Sequence, residues 1–205
     1  MSRQPALPIV YLPGASGRSA VFHGIAARLE RRRPTVSVDY PGLGDAPADA
    51  GVSSVAELVE FVARRAPALV DVVAISMGAL VALNFALEHP ASVRRLVLIA
   101  PAGGVDVVGL GGVDWRAAFV AQRPTAPRWL VNDRTDLSDR LTSVVAPTLL
   151  ILGDRDPIAP VAIGTHLQEH LPDARLEIVP GATHDIEDEA PDVVAALIEA
   201  HLRRA

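Results

Sequence analysis

Between Asp71 and Pro90 an almost unbroken apolar run changes character halfway along. Its first part, Val72-Val73-Ala74-Ile75, is rich in β-branched residues and suits a strand buried on both faces. Its second part, Ala79 to Leu87, is rich in Ala and Leu and suits a helix that stops before Pro90. At the junction stands Ala74-x-Ser76-x-Gly78, with small residues two before and two after a serine. That spacing predicts a tight strand-to-helix turn, because a larger side chain on either flank collides where the strand folds back on the helix. The turn lifts the Ser76 hydroxyl over the end of a sheet, at the positive end of the following helix. That is a position for a nucleophile. As a membrane span the run falls short of the ~20 apolar residues required and is interrupted by Gly78 and Asn84.

The rest of the chain repeats the strand–helix rhythm. Strands are predicted at Pro8–Leu12, Thr35–Asp39, the run before Ser76, Arg95–Ala100, Pro147–Leu152 and Arg175–Val179. Between the first two, Val21, Phe22, Ile25, Ala26 and Leu29 fall at helical spacing, and that helix is expected to close at Arg31-Arg32-Arg33-Pro34. Ser54-x-x-Glu57 reads as a capping box opening a helix to Arg65. Further helices are expected from about Pro160 to Leu171 and from Pro191 to the C-terminus. Alternation of this kind implies crossover connections and an α/β fold, three layers deep, around a six-stranded mostly parallel sheet. A chain of 205 residues fits one such domain, 1–205.

Residues 103–142 break the rhythm. They open with Gly103, Gly104, Gly109, Gly111 and Gly112 and then carry Trp115, Phe119 and Trp129, including both tryptophans of the chain. A glycine-rich hinge before an amphipathic piece predicts a short lid whose three aromatics face a pocket.

Composition excludes several classes. A net charge of −5 leaves no electrostatic footprint for nucleic acid. The absence of cysteine removes disulfides, thiolate nucleophiles and cysteine-ligated metals. All nineteen basic side chains that lysine and arginine supply are arginine, which removes Schiff-base chemistry and a phosphate-loop lysine. No cofactor and no metal is expected. The N-terminal residues show no long apolar segment of a signal peptide, so a cytoplasmic protein is expected. The sequence does not set an oligomeric state.

Serine is a weak nucleophile near neutral pH unless a base removes its proton, and the base needs an orienting partner. In parallel sheets functional groups gather at the carboxyl ends of strands. Asp156 follows the fifth strand in Gly153-Asp154-Arg155-Asp156-Pro157, and His184 follows the sixth in Gly181-Ala182-Thr183-His184. The other histidines (His23, His89, His166, His170 and His201) lie in helices or near ends and read as surface residues. Asp154 and Asp106 are alternative acids. Asp156 is favoured because Pro157 holds it extended, whereas Asp154 follows the strand so closely that a turn can absorb its carboxylate.

The order serine, aspartate, histidine, with the Ser76 turn, Asp39-Tyr-Pro-Gly-Leu-Gly-Asp45, Ala146-Pro-Thr-Leu-Leu-Ile-Leu-Gly-Asp-Arg-Asp156 and Gly181-Ala-Thr-His184, resembles the α/β-hydrolase superfamily over almost the whole chain. The resemblance implies an α/β-hydrolase fold lacking the first two strands, with sheet order 2-1-3-4-5-6 and a cap cut to about forty residues. It also implies Ser76 as nucleophile, His184 as base and Asp156 as acid, with the backbone N–H groups of Met77 and Ala15 as the oxyanion hole. Two positions depart from the usual pattern: Ala74 stands for the first glycine of the turn, and Pro13-Gly14 for a His-Gly pair. The implied activity is hydrolysis of an ester, thioester or lactone of a small to medium acyl substrate through a Ser76 acyl-enzyme. The same triad serves carbon–carbon bond hydrolases or lyases and cofactor-free perhydrolases, and a non-catalytic ligand-binding protein is the remaining alternative.

Overall fold

The computed structural model describes residues 6–29 and 33–204. Its elements in chain order are β1 (Ile9–Leu12), α1 (His23–Ala26), β2 (Thr35–Ser37), α2 (Val55–Ala63), β3 (Val70–Ile75), α3 (Gly78–Glu88) and β4 (Val93–Ile99). There follow α4 (Arg116–Gln122), α5 (Arg128–Asn132), β5 (Thr148–Gly153), α6 (Val161–His170), β6 (Ala174–Val179), α7 (Ile186–Glu189) and α8 (Pro191–Arg203). Short 3₁₀ turns at Ser19–Phe22 and Ser138–Ser143 complete the described structure.

The strands form one sheet in the order β2-β1-β3-β4-β5-β6, and each pairing is parallel. This is the expected order. Helices α2, α3 and α6 pack on one face, while α1, α7 and α8 pack together on the other, with α8 against β5. The central strands β1, β3, β4 and β5 are buried almost throughout, which is why they are continuous runs of Val, Ile and Leu. The edge strands β2 and β6 keep exposed positions.

Local chemistry sets several boundaries. Ser54 caps α2 by accepting from Glu57 N at 3.2 Å. The Glu57 carboxylate reaches back one residue further than a capping box requires, accepting from Ser53 N at 2.6 Å and Ser53 Oγ at 2.7 Å. The helix expected after β1 is shorter than its spacing suggested: one 3₁₀ turn and α1 replace it, and its expected end at Arg31 and Arg32 lies outside the described residues. Two ionisable side chains lie deeper than their chemistry suggested. Asp71, fully buried in β3, is met by Arg94 Nε at 2.8 Å, Arg94 Nη2 at 2.6 Å and Arg33 Nη1 at 3.2 Å. A buried carboxylate is tolerable only with such partners. His201, expected at the surface, is buried in α8 and donates from Nε2 to the Pro147 carbonyl at 3.2 Å.

Among the described residues, no helix is long and apolar enough to cross a membrane.

Candidate active site

The run from β3 into α3 makes the predicted turn. Ser76 has φ 54°, a left-handed conformation that costs a non-glycine residue about 1–3 kcal/mol. The surroundings hold it there: Ser76 N donates to Ile99 O at 2.9 Å, and its carbonyl accepts from Ala79 N at 3.0 Å and Ala102 N at 3.1 Å. The flanking small residues are explained by contact. Ala74 is fully buried between Leu12 of β1 and Leu98 of β4. A Cβ on Gly78 would lie 2.4 Å from Leu12 O and 2.5 Å from Pro13 O, so α3 starts against the end of β1 only because Gly78 has none. A Cβ on Gly14 would lie 3.0 Å from Ser76 Cβ, which places the loop after β1 directly beside the serine.

Two loops from the far side of the sheet reach this serine. His184, past β6, sets Nε2 2.9 Å from Ser76 Oγ. Asp156, past β5, sets Oδ2 2.7 Å from His184 Nδ1. The other oxygen of Asp156 accepts from Ile158 N at 2.8 Å and Ala159 N at 2.9 Å, so its carboxylate is fixed by its own loop and closed to solvent. With Nδ1–H directed at a carboxylate, Nε2 of the neutral ring is the acceptor facing the serine hydroxyl. This is the geometry in which Ser76 Oγ–H can pass its proton to His184.

The alternative acids are engaged elsewhere. Asp154 accepts from Gly181 N at 2.6 Å, tying the β5 loop to the His184 loop, and Asp106 accepts from Gly109 N at 2.9 Å within its own turn. A second tie holds the histidine loop: Thr183 donates from its backbone N and its hydroxyl to Glu189, each at 2.7 Å. Those two bonds hold the exposed Glu189 carboxyl below its ordinary range.

A pocket of about 550 Å³ opens over Ser76 and His184. Its lining takes Gly14, Ala15 and Ser16 from the loop after β1, and Trp115 and Phe119 from the 103–142 segment. These two rings meet edge-on, with centroids 5.6 Å apart, and Trp115 Nε1 donates to Ala102 O at 3.3 Å. Trp129 is the exception among the expected pocket aromatics. It sits on α5, beyond the Pro127 that starts that helix, is half-buried against the core, and does not line the pocket. The segment is also tied down more than a hinge suggests, since Leu137 N donates to Gly104 O at 2.9 Å and Val113 N to Pro157 O at 2.8 Å.

Among the described residues, the N–H groups of Met77 and Ala15 are not taken up by backbone hydrogen bonds. Ala15 lines the pocket directly, and Met77 opens α3 immediately after Ser76. Sequence reasoning missed Glu187, which also lines the pocket. It is 6% exposed, and burial, the largest influence, pushes its carboxyl up to about 7. No cluster of metal-binding side chains occurs among the described residues.

Comparison with known proteins agrees with this architecture. Residues 9–142 match the family model described as alpha/beta hydrolase family, and residues 112–205 match one described as TAP-like protein. The pimeloyl-[acyl-carrier protein] methyl ester esterase of Nitrosomonas europaea is 28% identical over 86% of this chain and 88% of its own. Among solved structures, an esterase from Exiguobacterium antarcticum superposes with a TM-score of 0.83 at 18% identity, over 98% of this chain and 94% of its own. A carboxylesterase from Bacillus subtilis gives 0.77 at 20% identity, over 98% and 85%.

Proposed function

The chain belongs to the alpha/beta hydrolase family, and we propose that it is a serine ester hydrolase working through an acyl-enzyme on Ser76. The observation that carries the reading is the continuous relay from Ser76 Oγ through His184 to the buried Asp156, at 2.9 and 2.7 Å, on the floor of a pocket.

In the first half-reaction Ser76 Oγ attacks the ester carbonyl while His184 Nε2 takes the hydroxyl proton. Asp156 keeps Nδ1–H pointed away from the serine and stabilises the imidazolium that forms. The carbonyl oxygen becomes an oxyanion facing the N–H groups of Met77 and Ala15. One such donor is worth about 2.7–4 kcal/mol of barrier in acyl transfer. Collapse of the tetrahedral intermediate breaks the bond to the alcohol, which leaves with the proton from His184. In the second half-reaction His184 deprotonates water, the hydroxide attacks the acyl carbonyl, and the acid departs as Ser76 regains its proton.

The relatives named for a methyl ester favour a small alcohol as leaving group, and Trp115 and Phe119 favour an acyl chain with apolar surface. In this reading residues 103–142 act as a short lid within a single domain. Thioesters and lactones present the same carbonyl to the same groups.

The test is covalent. A fluorophosphonate reagent should label the wild-type protein once and leave Ser76→Ala unlabelled, and methyl and p-nitrophenyl esters should be hydrolysed by the first and not the second. Labelling of Ser76→Ala at the wild-type rate would refute the assignment.

A further inference from the structure

The acyl-transfer steps leave Glu187 without a task. It lies on α7, three residues after His184, and lines the pocket at 6% exposure. Its Oε2 is fully buried and has no hydrogen-bond partner. A buried carboxyl oxygen with nothing to accept from is costly, and such groups in native proteins call for an explanation. No ion pair among the described residues relieves it. Of the lid's cations, Arg123 lines the same pocket and stacks over the Phe119 ring at 5.1 Å, and Arg116 lies over Trp115 and pairs with Asp114 at 3.2 Å; neither pairs with Glu187. Asp185, another carboxylate, also lines the pocket.

We propose that Glu187 is the recognition point for a cationic group on the substrate, making the preferred acyl chain one that carries a protonated amine. The inference rests on the ester-hydrolase reading and names the substrate class for that site. An ammonium entering the pocket gives the Glu187 carboxyl a cationic partner and a charge-assisted hydrogen bond. Burial already holds the carboxyl up to about 7, so an arriving cation is what allows it to ionise.

The experiment uses two methyl esters of one shape, methyl 4-(dimethylamino)butanoate and methyl 5-methylhexanoate, which differ by N–H⁺ against C–H. At neutral pH the wild-type enzyme should favour the cationic ester by about tenfold or more in kcat/KM. In Glu187→Gln, which keeps the shape and loses the charge, and in Glu187→Leu, which removes the buried polar group, the ratio should fall to about one. Equal hydrolysis of both esters by the wild type overturns the inference and leaves the hydrolase reading intact, as does a preference that survives in both variants. Calorimetric binding of the same pair to Ser76→Ala reads selectivity without turnover. Selective binding with no hydrolysis by the wild type would refute the hydrolase reading and uphold the role of Glu187; unselective binding would overturn that role.

Discussion

Thr183 gives both its backbone N–H and its hydroxyl to one carboxylate, that of Glu189, each at 2.7 Å. The pair spans the turn between β6 and α7, and His184 is the next residue along it. A carboxylate outside the pocket therefore helps fix the ring that must meet Ser76 Oγ. A bond of this kind at the surface adds little to stability, because water competes for both partners. Its value lies in position, where a misplacement of about 1 Å can cost on the order of a hundredfold in rate.

Glu189→Ala should accordingly lower kcat for p-nitrophenyl butyrate by about tenfold to a hundredfold while KM stays within about twofold. Glu189→Gln, which keeps one acceptor for Thr183, should recover much of the loss. A rise in KM at unchanged kcat would place Glu189 in substrate binding instead.

The acid can be tested against its neighbour. Asp156 uses one oxygen for Ile158 N and Ala159 N and the other for His184 Nδ1. In Asp156→Asn the amide oxygen can keep the two loop bonds, but the amide N–H₂ then faces Nδ1 and favours the wrong tautomer of the ring. Activity should drop by about 10³–10⁴ with a small change in Tm. Asp154→Asn still accepts from Gly181 N and should stay within about threefold of wild type. The reverse order of effects would move the acid to Asp154.

Much of the fold could be read from the chain because its signals are local or depend on order. The buried strands announce themselves as Val, Ile and Leu runs, and the strand order came with the resemblance that the Ser76, Asp156 and His184 motifs carry. The Ser76 turn was legible because Gly78 and Ala74 are small for a steric reason that acts within a few residues. Glu187 and Glu189 were not legible. They belong to an acidic run, Asp185-Ile186-Glu187-Asp188-Glu189, that reads as a solvated face until α7 turns Glu187 inward and Glu189 back onto Thr183. Trp129 shows the opposite failure. Its composition matches that of Trp115, but α5 sets it outside the pocket lining. Asp71 was hidden for a third reason, since its partners Arg33 and Arg94 come from segments the sequence could not bring together.

Gly78 allows a steric test. In most helices Gly→Ala stabilises by about 1 kcal/mol. Here the added Cβ would meet two backbone carbonyls, Leu12 O at 2.4 Å and Pro13 O at 2.5 Å, and neither can swing aside as a side chain would. The clash outweighs the propensity gain. Gly78→Ala should lower Tm by about 5 °C or more and reduce activity with it, since α3 and the loop after β1 must separate. An unchanged or higher Tm would show that α3 can shift at no cost.

His201 links stability to pH. Burial, the largest influence, lowers its pKa to about 4, helped by the nearby cations Arg95, Arg204 and Arg175 and opposed by the hydrogen bond to the Pro147 carbonyl. That bond takes the proton on Nε2 and leaves Nδ1 buried without a partner. Protonating the ring would put an unpaired N–H⁺ among arginines. In the unfolded chain the imidazole titrates near 6.5, so below that value the unfolded state binds a proton that the folded state refuses. The stability that His201 contributes by staying neutral is thus fully present above pH 6.5 and is lost as pH falls through the window down to about 4. Replacing His201 with Gln keeps a donor for Pro147 O and removes the titration. Thermal melts between pH 7.5 and pH 4 should show wild type losing more of its Tm than His201→Gln across that window, with carboxylates elsewhere affecting both curves alike. Parallel curves would mean that His201 takes up its proton in the folded state as readily as in the unfolded chain.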